Sequence, residues 1–356
     1  MTDTAATEAS ASPLPYDAIL VLSFGGPEGT DDIMPFLENV LRGRNVPRER
    51  MLSVAHHYEL FDGVSPINQQ NRDLIAALRQ SLDAHSIGLP IYWGNRNWHP
   101  LLPDTLREMA RDGRRHALTY ITSAYSSYSG CRQYLEDIER AQAEVGPDAP
   151  RVSTLRKFYN HPDFIRANAD RVRDALATIA EPRRASAMVV FTAHSIPLGM
   201  AQSSRYVSQL RETARLVAEE VGISRWELVY QSRSGPPTQP WLEPDICETL
   251  RALHDKGDDT VVVAPIGFLS DHVEVLYDLD VEARQLAHEL GMTMARAQTV
   301  GTHPAFVEMI RQLIAERIQP GAERRFLGSE GTRPDTCAPD CCGGSQRARE
   351  ATGRSM

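Results

Sequence analysis

The sequence predicts an α/β protein built as two similar halves, each a parallel sheet of four strands covered by helices. Three observations lead there. Short β-branched runs alternate with longer helical patterns, and that alternation argues for parallel sheets wrapped by helices. Four strand candidates precede residue 160 and four follow it, which puts a boundary near 160–165. The chain has 356 residues, more than the roughly 250–300 at which a single core stops growing.

The elements follow in order. Residues 18–24 (AILVLSF) are apolar almost throughout and read as a buried strand. Residues 30–42 read as a helix with Thr30 as N-cap, Asp31 and Asp32 at the positive end of its dipole, and Ile33, Phe36, Leu37, Val40 and Leu41 on one stripe. Pro35 is expected to kink that helix near its start. Ser65 and Pro66 read as a cap and a first-turn proline, followed by Leu74, Ile75, Leu78 and Leu82 on one face. Further strands are expected at 90–94, 117–122 and 152–155. The second half repeats the rhythm, with strands at 187–193, 227–231, 260–266 and 293–297 and helices at 205–221, 242–256 and 272–290. Gly222 and Gly257 sit where C-terminal glycines belong. A helix at 304–319 closes the ordered part. From Gly328 large apolar residues become scarce, so the tail 328–356 is expected to be disordered or tied down by something bound.

Composition narrows the function. A net charge of -9 lacks the basic footprint that phosphate backbones attract, which argues against a nucleic-acid partner. No run reaches the roughly 18 apolar residues of a membrane-spanning helix; the longest candidate, 261–269, contains Pro265 and Gly267. Residues 1–15 form a small, polar leader without the charged start and apolar stretch of a secretory signal. The expected compartment is therefore the cytoplasm, where the five cysteines are thiols or metal ligands before they are disulfides.

Ligands of open α/β sheets bind beyond the carboxyl ends of strands, and three strand ends carry unusual residues. The first runs into Gly25-Gly26, which permits either a close backbone approach to a ligand or a plain tight turn. The second ends at His194, where a neutral imidazole accepts a proton or ligates a divalent metal near pH 7, or is simply a hydrogen-bonded buried ring. The third runs into 267–274, and Glu274, Asp278 and Glu282 then recur every fourth residue on one helix face. Like charges at that spacing repel unless a cation or proton relieves them, and no Lys or Arg lies between 270 and 283. The alternative is an ordinary solvated face. Tyr125, Tyr128, Tyr134 and the four tryptophans suit either a core or a pocket for a large flat aromatic ligand.

The segments LVLSFGGPEG (20–29), FTAHSIP (191–197), QSRSGPPTQPWLEPD (231–245) and PIGFLSDHVEVLYDLD (265–280) resemble the ferrochelatase family in order and spacing. The resemblance covers 16–320. It implies two Rossmann-like domains, 16–163 and 164–327, the second including the closing helix, with a porphyrin cleft between them. It also implies insertion of ferrous iron into a tetrapyrrole. His194 and Glu274 match the family's catalytic and metal-contacting pair, and Asp278 and Glu282 its acidic line. Phe24 stands where some relatives hold a metal-touching tyrosine. Ser65 and Tyr134 fall where relatives hold a porphyrin propionate, with Arg42, Arg44 and Tyr58 nearby. The motif wording is similar to an actinobacterial branch using coproporphyrin III. Protoporphyrin IX insertion and a non-catalytic porphyrin or haem carrier on the same fold are the alternatives. A bilobal binding protein of the periplasmic type is a further one, opposed by the lack of a signal peptide.

Cys337, Cys341 and Cys342 form a C-x3-C-C group in the tail. Three thiolates are one short of a 2Fe–2S cluster or a structural zinc site. Cys131 is the expected fourth ligand, in line with a similar arrangement in some ferrochelatases, and Cys247 reads as a buried thiol.

Overall fold

The computed structural model describes residues 15–43, 46–235, 238–338 and 341–343. Arg44, residues 1–14 of the leader and the end of the tail lie outside them.

Both expected sheets are present. Strands β1 (Ala18–Ser23), β2 (Ile91–Asn95), β3 (His116–Ile121) and β4 (Arg151–Thr154) form a parallel sheet in the order β2-β1-β3-β4. Strands β5 (Met188–His194), β6 (Trp226–Gln231), β7 (Thr260–Ala264) and β8 (Thr293–Arg296) form a second in the order β6-β5-β7-β8. The two orders are the same, strand for strand. In register, Ile19 of β1 lies between Ile91 and Leu118, and Val190 of β5 between Glu227 and Val263. Both central strands are continuously apolar because helices cover both faces of each sheet.

Packing explains the cover. Leu74, Leu78 and Leu82 of the helix Ile67–Ala84 lie against Ile19, Val21 and Leu118, while Leu102, Leu106 and Met109 lie against Ala18, Leu20 and Leu22 on the other face. The second sheet is enclosed likewise, by Ile165, Ala169, Val172 and Val217 on one side and Ile246, Leu250, Leu279 and Leu286 on the other. The helix Pro304–Ile318 follows the second sheet in sequence but packs through Phe306, Ile310 and Leu313 with core residues of the first. Tyr125 from the first half donates to the carbonyl of Ile266 in the second at 2.9 Å, and Gln209 receives the Ser126 N–H at 2.7 Å.

Three local expectations change. Thr30 is no α-helical cap: Thr30–Asp32 is a short 3-10 turn and the α-helix is Ile33–Val40, so Pro35 falls in its first turn, where a missing N–H does no harm. Ser65 does not cap the helix Ile67–Ala84: Pro66 is the N-cap and no side chain bonds the first turn, while the Ser65 N–H donates to the carbonyl of Pro27 at 2.8 Å and its side chain packs under Gly26. The predicted helix at 272–290 contains a π-helix, Leu276–Ala283, between short α-helical pieces. The tail is tied down as far as Gly343: Asn160 Nδ2 donates to the carbonyl of Gly331 at 2.9 Å, Thr154 Oγ1 to that of Asp335 at 3.4 Å and Ser203 Oγ to that of Gly343 at 3.1 Å.

Candidate active site

The strand order reverses at β5, so the ends of β5 and β7 flank a switch point, the usual ligand crevice of such sheets. His194 is the last residue of β5, and Glu274 follows β7 through the loop 265–272. Gly267 makes that juxtaposition sterically feasible: a Cβ there would stand 2.5 Å from the Cβ of Ala193. The Gly25-Gly26 turn serves packing in the same way, since a Cβ on Gly26 would meet the Ser65 Cβ at 2.7 Å.

His194 Nε2 lies 3.5 Å from Glu274 Oε2, with both side chains partly exposed. Nδ1 donates to the carbonyl of Ser195, which fixes the ring's orientation. Burial opposes a charged ring, but the bond to Glu274 and its field raise the His194 pKa above its ordinary value. Burial likewise works against the Glu274 carboxylate, yet His194, His272 and His57 outweigh it and hold the group down at about 2. Each group therefore favours the charged form of the other.

His57 and His272 were missed by sequence reasoning. His272 lies inside the 265–280 motif, two residues before Glu274, and that position was an available signal. His57 comes from the helix Arg48–Glu59, which has no clear apolar stripe; its ring stacks on Tyr277 at 3.7 Å and 10°.

The carboxylates beyond Glu274 divide into two sets. Asp271 and Asp280 are neutralised by Arg296 of β8, at 3.1 and 2.9 Å, and Arg284 adds a second contact to Asp280. Among the described residues no guanidinium or ammonium pairs with Asp278 or Glu282. Burial, with Glu274 and Glu282 nearby, pushes Asp278 up to about 7 despite the Ser232 hydroxyl bonded to it. Burial and Asp245 raise Glu282 as well. Glu282 also borders a surface hollow of about 470 Å³ shared with Asp245, Cys247, Arg251 and Glu289.

The first half supplies an aromatic wall. Phe24, just past β1, is 37% exposed; it meets Phe36 at 6.3 Å, and Phe36 meets Tyr58 at 5.8 Å. Tyr58 and Phe36 share a cluster with Val273, the neighbour of Glu274, so this wall touches the second half beside the pair. The Arg96 guanidinium stands 4.5 Å from the ring centre of Tyr134 and 5.9 Å from that of Phe24. Ser65 and Tyr134 are buried. Arg42 is exposed and bonded to Asn39, whose own amide donates to the carbonyl of Asn97 beside Phe24.

The cysteines also converge in part. Cys342 lies beside Cys131 and lowers the pKa of its thiol, the Cys341 and Cys342 sulfurs lie 3.6 Å apart, and burial together with neighbouring Cys341 and Cys131 raises the pKa of Cys337. All are free thiols, and among the described residues no three ligands close on a point where a metal would sit. The donor set of four thiols on two segments fits a cluster or zinc in kind. Cys247 stands apart, its thiol pushed up to about 12 by burial.

The ferrochelatase family profile matches residues 16–318. The chain belongs to the ferrochelatase family. This metal chelatase is 58% identical over 330 residues to a ferrochelatase of Rhodopirellula baltica, spanning 92% of this chain and 93% of that one. It is 52% identical over 351 residues to the coproporphyrin III ferrochelatase of Nocardia farcinica, spanning 95% and 99%. The solved structure of SirB from Bacillus subtilis with Fe3+ shares the chelatase's fold, with a TM-score of 0.52 at 15% identity over 86% of this chain and 99% of that one. Among the described residues no helix is long and apolar enough to cross a membrane.

Proposed function

We propose that this chelatase inserts ferrous iron into coproporphyrin III in haem biosynthesis. The observation that carries the reading is the His194–Glu274 pair at the switch point, facing an aromatic wall. A free porphyrin holds two pyrrole N–H protons inside a rigid ring, and Fe2+ entry releases both. The ring must buckle to expose its nitrogen lone pairs, and binding energy from the ring faces and propionates supports that distortion. Ferrous iron arriving beside Glu274 supplies its counter-charge, so a protonated His194 ring gives up its Nε2 proton to solvent, and the neutral ring then accepts the two pyrrole protons one at a time and passes each to water. Asp278 and Glu282 extend the negative line along which a hard divalent cation sheds water. Phe24 offers ring surface and no metal ligand. Ser65, Tyr134, Tyr58, Arg42 and Arg44 are the proposed porphyrin contacts.

The proposed units are two Rossmann-like halves, 16–163 and 164–327, in a cytoplasmic protein. Cys131, Cys337, Cys341 and Cys342 would hold a 2Fe–2S cluster, with structural zinc as the alternative. Either would supply a covalent fastening of the tail to the Tyr128–Arg132 turn.

Anaerobic incubation with ferrous iron and each porphyrin, followed through collapse of the free-base visible bands, tests the function. Faster metallation of coproporphyrin III supports it. Equal or better kinetics with protoporphyrin IX overturns the substrate, and porphyrin binding without metallation overturns insertion in favour of a carrier.

A further inference from the structure

Ser232 directly follows β6 with a φ of +60°, in the left-handed region that serine rarely enters. Its side chain shows what that turn achieves. The hydroxyl donates to Oδ2 of Asp278, and Gln231 Nε2 donates to the same oxygen at 3.3 Å. Gln231 is itself anchored, since its Oε1 accepts from Thr192 Oγ1 at 2.8 Å, two residues before His194. Both donors hold Oδ2, and neither occupies Oδ1. The contrast with Asp271 and Asp280 is chemical. Arg296 pairs with both of them, whereas Asp278 is oriented by neutral donors and, among the described residues, has no guanidinium or ammonium partner.

We propose that Ser232 is a positioning residue for iron delivery: its left-handed backbone aims a hydroxyl that, with Gln231, fixes the Asp278 carboxyl for passing ferrous iron toward His194 and Glu274. The proposal rests on the iron-insertion reading above.

Glycine at this position suits the backbone and lacks the hydroxyl, while asparagine tolerates a positive φ and returns a donor. The two substitutions therefore separate the turn from the hydrogen bond. Anaerobic steady-state kinetics would be measured against ferrous iron on wild type, Ser232→Gly, Ser232→Asn, Asp278→Asn and the double variant Ser232→Gly/Asp278→Asn. Ser232→Gly is expected to raise the iron KM about three- to tenfold, the net worth of one ordinary hydrogen bond, with kcat and porphyrin affinity little changed. Ser232→Asn should recover most of that. Asp278→Asn should also act on iron KM more than on kcat, and the double variant should be no worse than it, because both act through one carboxyl. A wild-type iron KM in Ser232→Gly overturns the proposal and leaves Ser232 a turn former, whatever its thermal midpoint. Additive effects in the double variant overturn it too. Absence of iron insertion by the wild-type protein would instead overturn the reading on which the proposal rests.

Discussion

The two halves have the same strand order, and each places a π-helix after its third strand: Tyr128–Arg132 after β3 and Leu276–Ala283 after β7. Their side chains differ completely. Beyond the strand ends of the first half stand Phe24, Ser65, Cys131 and Tyr134, which offer ring surface, hydroxyls and a thiol. Beyond those of the second stand His194, Glu274 and Asp278, three groups whose chemistry suits proton exchange or a cation. A fold supplies equivalent positions, and the residues placed there decide the chemistry. In the proposed function one half grips and the other reacts. The π-turn, whose ladder runs from i to i+5, carries Tyr277, which stacks on His57 from the first half and feels the charge of Glu282, five residues on.

That division predicts where mutations act. The largest effect is expected in the second half. His194→Ala should lower the insertion rate by about 10²–10⁴-fold, the range for losing a positioned proton acceptor, measured by anaerobic stopped-flow absorbance. In the wild type the rate should rise with pH through a value above 6.5, the ordinary histidine value, because the raised pKa of His194 must be passed before its ring is neutral. A flat pH profile would remove His194 as the base.

The next effect belongs to the cysteine tail and the first half's π-turn. Aerobically purified protein should be reddish-brown with about two irons and two acid-labile sulfides per chain. Cys131→Ser, or truncation before Cys337, should bleach it and lower the thermal midpoint, since a cluster bound only by the folded chain stabilises it. Colourless protein with stoichiometric zinc would replace the cluster by a zinc site of four thiolates. Smaller still, Ser65→Ala and Tyr134→Phe should each weaken coproporphyrin III binding by roughly 0.5–3 kcal/mol, one hydrogen bond apiece, and leave the rate at saturation intact. A fall in that rate would blur the boundary between grip and chemistry. Cys247→Ser should change neither colour nor porphyrin affinity.

The sheets were legible because each central strand is an uninterrupted apolar run, a signal that needs no partner to read. The helix Arg48–Glu59 was not, since its sequence RERMLSVAHHYE is polar nearly all round and its place is set by Tyr58 and Ala55 meeting Phe36 and Val273. The helix Gln133–Val145 begins inside a π-turn without a side-chain cap, which hides its start. At the site, His194 and Glu274 stood out by residue type at strand ends. Their partners did not: Arg296 selects among the carboxylates from β8, sixteen residues beyond Asp280, and His57 reaches Tyr277 from the other half. Those contacts exist only after folding.

The division of labour is tested most directly on Glu274→Gln, by measuring the coproporphyrin III dissociation constant by fluorescence quenching and anaerobic ferrous-iron insertion on the same sample. The account predicts a dissociation constant within about twofold of wild type, because binding comes from the first half's wall and the propionates, together with abolished insertion. Near-normal turnover, or porphyrin binding lost along with it, would contradict the account.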